Sequence, residues 1–184
     1  NYGINVKNSQ LNINNQENMH INSTISGRGF DNYGVYVYDN LNQGSKVDIV
    51  NNGDLIINTN DNSSGNHSYG IFVINENNTD DETSVNINSK NNVVNTKSTE
   101  VSGELSNVNI TASAGSNVIK ALGDVDSTGI EVNDNGTLYL NAKNYNIVTS
   151  DYTGIHVSYA DDKQSNITLN ANNNIVNAVG TGIL

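Results

Sequence analysis

Tyr33-Gly34-Val35-Tyr36-Val37 is a phrase the chain repeats, as Tyr2-Gly3-Ile4-Asn5-Val6, Tyr69-Gly70-Ile71-Phe72-Val73, Thr128-Gly129-Ile130-Glu131-Val132, Thr153-Gly154-Ile155-His156-Val157 and Thr181-Gly182-Ile183. Its glycines step by 31, 36, 59, 25 and 28 residues, the longest step spanning two turns of which the middle one is degenerate. A constant core phrase at unequal steps of this size marks a solenoid whose coils differ by loop insertions.

Working outward from the phrase, period-2 alternation recurs three times per repeat, separated by Asn, Gly, Asp and Ser clusters that read as turns. The glycine phrase is the first face. The second reads Leu11-Asn12-Ile13, Val47-Asp48-Ile49, Val85-Asn86-Ile87, Val108-Asn109-Ile110, Leu138-Tyr139-Leu140 and Ile167-Thr168-Leu169. The third is a polar residue before two aliphatics, as in Asn92-Val93-Val94, Asn117-Val118-Ile119, Asn146-Ile147-Val148 and Asn174-Ile175-Val176, with Asn18-Met19-His20-Ile21 and Asp54-Leu55-Ile56 as counterparts in the first two turns. Val101-Ser102-Gly103-Glu104-Leu105 supplies the first face of the degenerate turn. The pattern predicts an all-β, right-handed parallel β-helix with about three short strands per coil and six coils over residues 1–184. At about 4.8 Å per rung, six rungs make a rod of roughly 29 Å. Strand parity places the phrase glycines outward, and Tyr2, Tyr33, Tyr69, Thr128, Thr153 and Thr181 inward as stacked corner residues.

Composition agrees with a thin, extended core. Only 35% of the 184 residues are hydrophobic, 39 are asparagine, and proline, cysteine and tryptophan are missing. Asparagine is a poor residue for an isolated strand, so this enrichment needs stacked amides that satisfy one another. Asn92, Asn117, Asn146 and Asn174 occupy one place in successive coils and form such a structural ladder. A net charge of −11 with a single arginine, Arg28, argues against binding to nucleic acids or anionic membranes, which requires clustered cations. No apolar run approaches the length of a membrane span. The chain begins and ends within repeat phrases and carries no leader, so it is expected to be a segment excised from a longer protein.

Function is expected on loops and outward positions. Tyr36 and Phe72 fall on adjacent rungs as an exposed aromatic patch, in a row that also contains His156. Asp39, Glu76, Asp80, Asp81, Glu82, Asp134, Asp161 and Asp162 follow the first face and align as an acidic ridge. Such a ridge could hold calcium, although a solvated edge is the plainer reading, and no metal or other cofactor is assigned. Asp124–Gly129 matches only the first half of a calcium loop, with Asn135 where the bidentate glutamate belongs. His20, His67 and His156 map to three different places, Arg28 lies in a remote turn, and no serine has an evident base. This distribution argues against an enzyme. Asn22, Asn62, Asn66, Asn77, Asn135 and Asn166 head glycosylation triplets, which chance explains in a chain of this composition.

The Thr-Gly-Ile-X-Val phrases at 128–132 and 153–157, the Leu138-Tyr139-Leu140-Asn141-Ala142 and Ile167-Thr168-Leu169-Asn170-Ala171 strands, and the Asn-Asn-Ile-Val-Asn-Ala stretch at 173–178 together resemble the passenger region of a bacterial type V secreted adhesin, an autotransporter. The resemblance covers essentially the whole chain and implies a β-helix at the bacterial surface, tethered to the outer membrane through parent regions. It further implies a non-catalytic role in attachment to host cells, or in aggregation and biofilm formation. The partner would be a protein or glycan receptor on a host or bacterial surface, or a second copy of the chain. Two other readings are a passive stalk carrying a distal tip and a polysaccharide-processing β-helix enzyme.

Overall fold

The computed structural model describes residues 1–25, 31–41, 43–61, 67–76, 82–102, 106–122, 127–158 and 164–184. These residues contain no helix and form three six-stranded parallel sheets in which each strand pairs with the strand three ahead of it. The first sheet holds β1 (Tyr2–Lys7), β4 (Asn32–Asp39), β7 (Ser68–Asn75), β10 (Ser98–Ser102), β13 (Thr128–Val132) and β16 (Thr153–Val157). The second holds β2 (Gln10–Asn15), β5 (Lys46–Asn51), β8 (Thr83–Ser89), β11 (Ser106–Ala112), β14 (Thr137–Ala142) and β17 (Asn166–Asn170). The third holds β3 (Met19–Ile25), β6 (Leu55–Asp61), β9 (Asn92–Thr96), β12 (Asn117–Ala121), β15 (Tyr145–Ser150) and β18 (Asn173–Ala178). The chain is a parallel β-helix.

One core runs through the coils. It is built from inward aliphatics such as Val35 and Val37 of the first sheet, Leu138 and Leu140 of the second, and Ile57, Ile119 and Val148 of the third. β-Branched side chains suit this pleated, stacked surface, and each repeats the position of its neighbour one rung away.

The glycines correct the expected parity. Gly34, Gly70, Gly129 and Gly154 are buried and face inward, not outward, and so does the aliphatic residue after each of them. A Cβ built on Gly3, Gly34, Gly70, Gly129 or Gly154 would stand less than 3.0 Å from a γ-methyl of Ile21, Ile57, Val94, Val148 or Val176, respectively. Each methyl belongs to the third-sheet strand of the same coil, so glycine is required because the two sheets come too close for any side chain. None of these five glycines has a positive φ. Two successive inward residues break the alternation, and the residue before the glycine is exposed or half-exposed at every one of these positions except Thr153. Tyr33 and Tyr69 are accordingly half-exposed and Tyr2 exposed, not core corners; of the threonines at that position only Thr153 is buried.

The degenerate turn is also corrected. Ser98 pairs with Tyr69 and Thr128, whereas Glu100 and Val101 pair with Phe72 and Val73 and with Glu131 and Val132, with a register shift between Ser98 and Glu100. The first face here begins at Ser98 rather than Val101 and is one residue shorter, and residues 103–105 lie outside the described residues.

The amide ladder is continuous. Asn92 Nδ2 donates to Asn117 Oδ1, Asn117 Nδ2 to Asn146 Oδ1 and Asn146 Nδ2 to Asn174 Oδ1, each at 2.9 Å. Each amide also donates to a backbone carbonyl, as Asn117 does to Asn141 at 2.8 Å and Asn146 to Leu140 at 2.9 Å. The register places Asn92 beside Leu55 and Leu55 beside Met19, so the counterparts in the first two turns are Met19 and Leu55, one residue later than Asn18 and Asp54. The ladder therefore occupies a core slot, where Asn92, Asn117 and Asn146 are buried.

Two outcomes in thermal or urea unfolding check this architecture. Gly70→Ala should cost about 1–3 kcal/mol by overpacking. Adding Val94→Ala should recover part of it, with a coupling of roughly 1 kcal/mol or more between the two sites. Asn117→Leu, which leaves Asn146 Oδ1 as well as Asn92 Oδ1 unpartnered, should destabilise by about 1–3 kcal/mol more than Asn92→Leu, which leaves a single orphan oxygen.

Candidate functional site

In-register parallel stacking places like side chains above one another, and on the outer face of the first sheet this builds two aromatic columns side by side. Tyr2, Tyr33 and Tyr69 form the first, with ring centroids 5.2 and 5.4 Å apart and planes inclined by 7° and 12°. Tyr36 and Phe72 form the second, at 5.7 Å and 9°. The columns interlock at an angle: Tyr33 meets Tyr36 at 4.7 Å and 58°, and Tyr69 meets Phe72 at 4.8 Å and 62°. Tyr38 lies parallel to Tyr36 at 6.1 Å, with the Lys7 ammonium 4.6 Å from its ring centroid. Ring faces within the columns are consumed by neighbouring rings, so the surface consists mainly of ring edges and hydroxyls.

Acidic groups rim this face. The Tyr33 hydroxyl donates to Asp31 at 3.1 Å, and the Tyr38 hydroxyl donates to Glu76. Burial among its neighbours, then Asp31, pushes the Tyr33 phenol well above its ordinary range. Burial, with Tyr2, Tyr38 and Glu76 adding to it, pushes Tyr36 up to about 12. Tyr38 is raised chiefly by its hydrogen bond to Glu76.

His156 does not join Tyr36 and Phe72. It lies in the same row, but the register runs Tyr36, Phe72, Glu100, Glu131, His156. It is thus three rungs, about 14 Å, beyond Phe72. Its Nδ1 sits 3.4 Å from Glu131 Oε1. Tyr2, Tyr33, Tyr38 and Tyr69 belong to the face, although sequence reasoning does not place them there. Tyr38 is legible as the next outward residue after Tyr36; the other three are hidden by the glycine parity.

Of the expected acidic ridge, Asp39 is the residue the structure removes. Asp39 is fully buried: it continues the inward alternation of Val35 and Val37, and its Oδ1 accepts from the Leu41 amide at 2.9 Å. Asp39 Oδ2 has no hydrogen-bond partner among the described residues. Glu82 is exposed, and Asp134 is exposed at φ 47° in a tight turn closed by Gly136 N donating to Asn133 O. Asp80, Asp81, Asp161 and Asp162 lie outside the described residues, as do Arg28 and Asp124. Among the described residues no group of three or more His, Asp or Glu side chains is placed to hold a metal ion.

The other two sheets carry outward amide rows. Asn109 donates to Asn86 and Asn86 to Asp48, both at 2.8 Å, on the second sheet. Asn95 donates to Asn58 at 2.7 Å and Asn58 to Asn22 at 2.8 Å on the third. Compared with known proteins, the chain matches no family model, no curated protein and no solved structure.

The tyrosines make a pH-dependent prediction. Because folding raises the Tyr36 phenol from 10.0 to about 12, its contribution to stability is complete below pH 10 and is lost as pH rises through about 12. Unfolding midpoints should fall across that window in the native protein and fall less in Tyr36→Phe, with the phenolate absorbance of Tyr36 appearing late in the titration.

Proposed function

We propose that the chain is a segment of a bacterial type V secreted adhesin. In this reading it is a β-helical rod, displayed at the cell surface and tethered to the outer membrane through parent regions, that attaches to host cells or to other bacteria without catalysing a reaction. The observation that carries it is the six-membered aromatic face formed by Tyr2, Tyr33, Tyr36, Tyr38, Tyr69 and Phe72. A half-exposed aromatic surface held on a stacked sheet is pre-organised for a macromolecular partner, because few rotamers remain to be frozen on contact. The placement of the acid–base side chains supports a non-catalytic role: His20 lies on the outer face of the third sheet, His156 on the first and Asp39 inside the coil. Lateral self-association would use the outward amide rows, each bond contributing about 1 kcal/mol or less net.

A stalk is the second reading, favoured by the outer faces of the second and third sheets, where the same amides recur from rung to rung. Display of the parent protein on a non-adherent cell, with and without residues 1–184, separates the two. Loss of clumping or host-cell attachment in a deletion that still reaches the surface is the result expected for the adhesive segment. Unchanged attachment sinks that reading and leaves the stalk.

A further inference from the structure

The aromatic face has an edge that differs chemically from the rest. At the end of β4, Tyr38 carries the Lys7 ammonium 4.6 Å from its ring centroid and donates its hydroxyl to the Glu76 carboxylate. Lys7 and Glu76 are both exposed, so neither contact is forced by burial. The protein thus already seats one of its own cations on this edge, with a carboxylate alongside. In the row next to it, the first-rung partner of Tyr36 is the short, exposed Asn5, and the Tyr2 ring of the same rung meets Tyr36 at 5.2 Å and 58°, so Tyr38 is the more open of the two rings on this edge.

We infer that the Tyr36–Tyr38–Glu76 edge of the first sheet grips cationic side chains, arginine foremost, presented by a basic segment of a partner protein. A guanidinium can lie flat against a tyrosine ring while its fork reaches a carboxylate, a geometry that an ammonium cannot copy. The chain's net charge of −11 draws such a segment in and makes the encounter sensitive to salt. Within the two columns the ring faces are spent on neighbouring rings at 5.2–5.7 Å, so the Tyr38 ring beside them is where a flat cation is received. In this arrangement Lys7 is an internal competitor, and displacing it is part of binding.

The inference rests on the adhesive reading in taking this face as the contact surface, and it names the partner's chemistry. It is tested with fluorescently labelled octa-arginine and the 184-residue chain, by anisotropy at two salt concentrations. Binding should weaken with salt. Tyr38→Ala and Glu76→Gln should each weaken it about two- to five-fold, and Lys7→Ala should tighten it by a similar factor. Lys143→Ala, which removes one positive charge from an exposed turn elsewhere, should leave it nearly unchanged. Glu76→Gln, Lys7→Ala and Lys143→Ala alter exposed side chains, so the comparison survives if Tyr38→Ala folds poorly.

Three results overturn the inference: Glu76→Gln binding like the native chain, Lys143→Ala tightening as much as Lys7→Ala, or cellohexaose displacing the peptide from the native chain. The first two would mean that bulk charge alone attracts the probe; the third would make the face a glycan site. If octa-arginine binds as expected while deletion of residues 1–184 leaves attachment intact, the adhesive reading falls and the cation-binding edge stands. If attachment is lost while peptide binding is indifferent to Tyr38 and Glu76, the adhesive reading stands and the cation-binding edge falls.

Discussion

The close approach of the first sheet to the third governs this rod. Where the phrase glycine faces inward, a γ-methyl from the third sheet of the same coil takes the space a Cβ would need. The aliphatic after the glycine must also face the core, so two inward residues follow one another and the alternation is offset. That offset sends the preceding tyrosine and the residue after the aliphatic to the same outer side. The two aromatic columns are therefore a consequence of core packing: without the glycine contact, Tyr33 and Tyr36 would fall on opposite faces of their strand.

The second determinant is the substitution of amides for aliphatics at a fixed core slot. In the first two coils the slot holds Met19 and Leu55; from Asn92 onward it holds asparagine. A lone asparagine there would leave a donor and an acceptor unmet at a cost of about 1–3 kcal/mol each. In a column, each amide meets the next, and the remaining donor turns to a strand carbonyl. The arrangement explains how Asn92, Asn117 and Asn146 can sit buried among the aliphatics of the core.

Much of this is legible in the sequence because the repeat gives each position several independent readings. The parallel solenoid, its three faces, the second-face register and the alignment of Asn92, Asn117, Asn146 and Asn174 all follow from constant phrases. Three features are hidden for physical reasons. Glycine has no side chain, so its facing leaves no mark in a hydrophobic pattern, and simple alternation then assigns Tyr2, Tyr33 and Tyr69 inward. Asp39 continues the alternation of Val35 and Val37, but its charge suggests a turn, and β4 in fact runs on to include it. His156 shares a row with Tyr36, and only the count of intervening rungs separates it from the aromatic face.

The inner asparagine column has a direction. Every amide passes its hydrogen to the oxygen of the following coil, while the rows on the outer faces of the second and third sheets pass theirs to the preceding coil. Aligned head to tail, the inner amide dipoles add, much as peptide dipoles do along a helix. The column opens at Asn92 with an oxygen that no donor among the described residues reaches and closes at Asn174, whose nitrogen turns back to Leu169 O at 3.3 Å. The column is thus vectorial: its oxygen end lies at Asn92, against the Leu55 rung inside the rod, its nitrogen end lies at Asn174, and the outer rows run against it.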